Sequence, residues 1–104
     1  MKAVITLGCE GRQDDGFHFC SGVNNVILDL ENITHTENYK NLILYLDKVP
    51  KIFDNSCALS NIISNTIYKI YEMGYLPEVR YKYIAHFYDM HKRCGLVIKA
   101  ELKK

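Results

Sequence analysis

Between Leu59 and Met73 the apolar residues recur at three- and four-residue spacing: Leu59, Ile62, Ile63, Ile67, Ile70 and Met73, with Thr66 on the same stripe. An α-helix places such positions on one face, so the segment reads as an amphipathic helix with one side to bury. Asp54, Asn55 and Ser56 precede it with side chains able to cap a first turn. Gly74 follows, the residue type that most readily adopts the left-handed conformation ending a helix. The rest of the chain has to cover that stripe.

The first part of the chain offers strands. Ala3, Ile5 and Leu7 alternate with Lys2, Val4 and Thr6, which is the two-residue period of a half-buried strand. Gly8 to Gly16 is polar and glycine-containing and ends in Asp15-Gly16, so a loop that turns the chain into a hairpin is expected there. Phe17 to Cys20 and Val26 to Leu30 supply two further short strands. After Thr34, the spacing of Tyr39, Leu42, Ile43, Leu46 and Val49 predicts a helix that Pro50 stops.

Beyond Gly74, Pro77 suits the first turn of a third helix, with Val79, Tyr83, Phe87, Met90 and Cys94 on its buried side and Gly95 at its end. That helix would pair with the one before it as an α-helical hairpin. Leu96, Ile98, Ala100 and Leu102 then alternate with Val97, Lys99, Glu101 and Lys103, predicting a closing strand beside the first or third. The order βββαααβ indicates an α+β fold: a small, mainly antiparallel sheet covered on one face by helices. At 104 residues, the whole span 1–104 is expected to be a single domain.

Composition excludes some classes. No apolar run approaches the roughly 20 residues that cross a bilayer, so no membrane is expected. The beginning of the chain lacks the apolar segment of a signal peptide, and its four cysteines therefore read as thiols in a reducing, intracellular compartment. The cytoplasm is expected, or the host cytoplasm if the chain is viral. A wealth of Ile, Asn, Lys and Tyr with no Trp is what an AT-rich phage, virus or intracellular parasite genome would produce. Net charge is only +1, but residues 1–55 hold five basic and eight acidic side chains and residues 56–104 hold eight and four.

No catalytic or cofactor motif is present in this pattern, so no cofactor is expected and the chain reads as non-enzymatic. Zinc is weakly supported, because paired ligands normally stand two to four residues apart and the cysteines here are widely spread. The nearest candidates are His18 with Cys20 and, on one face of the third helix, His91 with Cys94, which could share an ion with Cys9 or Cys57. Against them stands the common use of cysteine as a small apolar core residue. Cys57, at a helix start, is a weak candidate for a reactive thiol. A Cys57–Cys94 disulfide is disfavoured, since Cys57 points away from its helix's apolar stripe.

The most specific surface feature is basic and aromatic: Arg80, Tyr81, Lys82, Tyr88, Lys92 and Arg93. Tyrosine and arginine are favoured at protein interfaces, and with lysine they also suit phosphates and stacked bases. The chain therefore reads first as an accessory or regulatory protein that binds another protein or a macromolecular complex. RNA or DNA binding through the same face is the alternative, and a zinc- or thiol-dependent protein the second.

Overall fold

The computed structural model describes residues 2–13, 16–19, 25–31, 33, 36–84 and 93–103. Its strands are β1 (Lys2–Gln13), β2 (Gly16–Phe19), β3 (Val26–Leu30), β4 (Ile52–Phe53) and β5 (Cys94–Lys103), and its helices are α1 (Thr36–Lys48) and α2 (Ser56–Glu72). All five strands join one antiparallel sheet, and the fold is α+β as expected. β1 is the sheet's axis. Along one edge it pairs with β3 over Ala3–Leu7 and with β2 over Glu10–Gln13, while along the other it pairs with β5 from Lys2↔Lys103 to Gly11↔Cys94.

The core lies on the face that carries Ala3, Ile5, Leu7 and Cys9 of β1, Val26, Leu28 and Leu30 of β3, and Cys94 and Leu96 of β5. Leu42 and Leu46 from α1, Val49 just after it, and Leu59, Ile63, Ile67 and Ile70 from α2 belong to the same buried cluster. Each fully buried aliphatic side chain contributes about 1.5–3 kcal/mol of transfer free energy, so the α2 stripe is the largest local contribution from one helix. The two helices also meet through a hydrogen bond between Tyr45 and Thr66, and the Thr66 hydroxyl donates to the Ile62 carbonyl at 2.7 Å. Burial raises the pKa of the Tyr45 phenol, more than that hydrogen bond lowers it.

Helix ends follow local chemistry. Asn55 caps α2, its side-chain oxygen accepting from the Ala58 N–H at 2.9 Å. At the other end Gly74 adopts φ +85°, and the N–H groups of Gly74 and Tyr75 donate back to the carbonyls of Tyr71 and Ile70. The Lys51 ammonium donates to the carbonyls of Leu46 and Val49, at 2.7 and 2.5 Å, placing a cation at the end of α1, where the Leu46 carbonyl also accepts from the Val49 N–H.

Three expectations are corrected. Gly8 to Gln13 is not loop but the continuation of β1, which pairs with β2 as far as Gln13↔Gly16; residues 14 and 15 of the expected loop lie outside the described residues. The two-residue alternation persists through the glycines, with Cys9 and Gly11 buried and Glu10 half-buried. The third helix is replaced, among the described residues, by a single 3-10 turn at Tyr81–Tyr83, so Pro77 starts no helix and the α-helical hairpin is not formed there. Residues 85–92, where the rest of that helix was expected, lie outside the described residues. Cys94 and Gly95 belong to β5, where they pair with Gly11 and Glu10 on one side and Phe53 and Ile52 on the other. The element order is thus βββαβαβ, with the short β4 inserted between the helices.

Candidate functional site

After the Gly74 turn the chain buries Leu76, is extended at Arg80 with φ −97° and ψ 148°, and sets the 3-10 turn Tyr81–Tyr83 against β3. Val79 and Tyr83 are half-buried and pack against the core, which anchors the segment at two points. Between those anchors Arg80, Tyr81 and Lys82 are pushed outward. Tyr81 is 82% exposed, the most open of the exposed large apolar side chains among the described residues. The Lys82 ammonium stands 5.4 Å from the centroid of the Tyr83 ring, within cation–π range. Arg80 pairs with Glu78, and that carboxylate raises the pKa of a guanidinium that is already charged.

A cleft of about 350 Å³ adjoins this shelf, lined by Leu76, Pro77, Glu78, Arg80 and Tyr83 together with Asp29 and Glu31. Asp29 is exposed in β3, and 3.8 Å separates its carboxylate from the Lys2 ammonium. The surface is therefore of mixed sign, with carboxylates from Asp29, Glu31 and Glu78 around one guanidinium. Its mouth offers hydrogen-bond acceptors, a donor fork and apolar walls side by side.

Of the residues singled out in the sequence, Arg80, Tyr81 and Lys82 come together on this shelf. Arg93 is exposed at the entry to β5, and Tyr88 and Lys92 lie outside the described residues. Asp29, Glu31 and Leu76 were not foreseen as neighbours; only Glu78, close to Arg80 in sequence, carried a signal of its own.

The weak metal candidates are redistributed. Cys94 does not share a helix face with His91; it is buried in β5. Gly11 of β1 stands opposite His18 of β2 on one side and opposite Cys94 on the other, so the three backbones occupy one row of the sheet; Cys9 and Cys94 belong to the buried core. Cys20 and His91 lie outside the described residues, and among the described residues no group of three or more His, Cys, Asp or Glu could hold a metal. Cys57 is exposed in the first turn of α2. No helix of the described residues is long and apolar enough to cross a membrane. No family model matches the chain, and neither a curated protein nor a solved structure is significantly similar to it.

Proposed function

We propose that this chain is a small non-enzymatic accessory or regulatory protein that acts by binding another protein, and that the shelf of Arg80, Tyr81 and Lys82 with its adjoining cleft is the contact surface. The observation that supports this reading is Tyr81 itself, a large ring held 82% exposed between two half-buried anchors. Such a side chain gains apolar burial only when a partner covers it, and tyrosine and arginine carry a large share of binding energy in protein interfaces. A protein partner is favoured over nucleic acid because Asp29, Glu31 and Glu78 line the same cleft and would repel a phosphate backbone.

The test is affinity purification of the tagged chain from its native cell type, with and without nuclease, beside the Tyr81→Ala variant. A defined protein that survives nuclease and is lost from Tyr81→Ala is the expected result. Retention that nuclease abolishes would instead establish the nucleic-acid alternative. Equal retention by wild type and Tyr81→Ala would move the contact away from this shelf.

A further inference from the structure

The two long edges of the central β1–β5 ribbon are treated differently. β1 is covered along its outer edge by β3 and β2, whereas β5 is covered on its outer side by β4 at Cys94 and Gly95 and by the Leu96 N–H donating to the Lys51 carbonyl at 2.7 Å. From Val97 to Lys103, no strand among the described residues lies on that side. Backbone groups in an antiparallel strand point alternately to its two neighbours. Since the Leu96 N–H points away from β1, those of Ile98, Ala100 and Leu102 do as well, and they present a row of donors and acceptors at the open edge.

We propose that this edge pairs with the same edge of a second copy, antiparallel and centred on Ala100, forming a symmetric dimer with one continuous sheet. Three features fit that register, and the second of them separates it from the neighbouring registers of the same parity. Hydrogen-bond parity is satisfied, because Ala100 faces the partner's Ala100 and Ile98 faces the partner's Leu102, all of them residues whose N–H and C=O point outward. Charge is complementary, because exposed Lys99 and Glu101 fall opposite the partner's Glu101 and the partner's Lys99 on the solvent face. Apolar surface is matched on the other face, where Ile98, Ala100 and Leu102 are half-buried against the core.

A shift to a centre on Lys99 would set lysine opposite lysine, and a centre on Glu101 would set glutamate opposite glutamate. Lysines often blunt an exposed edge, but here they alternate with a glutamate that falls opposite a lysine of the second copy. A groove of about 580 Å³ lies beside the edge, with Ile43, Leu46, Leu96, Ile98 and Ala100 as its aliphatic wall and Tyr39, Asp47 and Lys51 completing the lining. The isologous geometry closes on itself, so pairing stops at two copies.

The experiment is sedimentation velocity on the full chain over a concentration series, with circular dichroism to verify folding. Wild type is expected at twice the 12.1 kDa of one chain. Ala100→Pro removes an N–H aimed at the partner without touching the ladder to β1, and it is expected to be a folded monomer. Lys99→Glu sets like charges opposite each other at both symmetry-related positions and should weaken the dimer roughly tenfold, whereas Lys99→Glu combined with Glu101→Lys should restore it. A wild type that stays monomeric throughout overturns the proposal. So does a dimer indifferent to Lys99→Glu, or one that the double reversal fails to recover.

Discussion

Asn55–Gly74 and Pro77–Ile84 begin with comparable helix-starting chemistry, an Asn cap in one and a Pro in the other, and both continue with apolar residues at helical spacing. One becomes a 17-residue helix, the other a 3-10 turn of three residues. The difference lies in what each can bury. Leu59, Ile63, Ile67 and Ile70 are all fully buried in the common core, whereas the 3-10 turn contains no buried residue. Isolated helices gain little from hydrogen bonding alone, so a periodic segment becomes a long helix when tertiary packing covers its stripe. Where cover is partial, as at Val79 and Tyr83, the chain keeps a shape that satisfies those two contacts and leaves Arg80 to Lys82 for other uses.

The most direct way to break that comparison is to remove the cover. Ile67→Ala deletes a fully buried side chain from the middle of the α2 stripe and should cost about 2–5 kcal/mol, read as a lower urea midpoint at unchanged slope. A loss below about 1 kcal/mol would mean that the stripe is not what holds α2 in place.

The boundary between the two regions is the next target. At Gly74 an added Cβ would meet no atom within 4 Å, so space is not at issue; the backbone at φ +85° is. Gly74→Ala should therefore cost about 1–2 kcal/mol from left-handed strain alone. If it proves neutral, the turn has relaxed, and the path from α2 into the shelf is less firmly set than its two backbone hydrogen bonds imply.

Periodicity made both helices, the first half of β1, β3 and most of β5 legible in the sequence, because each shows its buried face directly. The second half of β1 was hidden by its glycines. At Gly8 a Cβ would stand 2.5 Å from the Asn25 side-chain oxygen, so a residue just ahead of β3, remote in the chain, is what makes glycine fit there. Cys94 was misread because it stands at helical spacing from Met90 and His91, whereas its pairing with Gly11 and Phe53 draws on residues remote in the chain. The same limit applies to the shelf. Arg80, Tyr81 and Lys82 were visible as a polar, aromatic run, but the carboxylates of Asp29 and Glu31 reach them only through the sheet, and those carboxylates are what turn a basic stretch into a surface of mixed sign.

The smallest expected effect is the one that separates the two regions most sharply. Tyr81→Ala removes a larger side chain than Ile67→Ala does, yet with 82% of the residue in solvent it should change stability by no more than about 0.5 kcal/mol. Measured together by urea unfolding, the pair asks what each segment is built for. A large loss at Ile67 with none at Tyr81 means that α2 is a structural element and that the shelf tolerates change without cost to the fold, so a loss of partner in Tyr81→Ala reports on binding alone. Comparable losses at both positions would instead make Tyr81 part of the core, and its exposure could no longer be an argument for a docking surface.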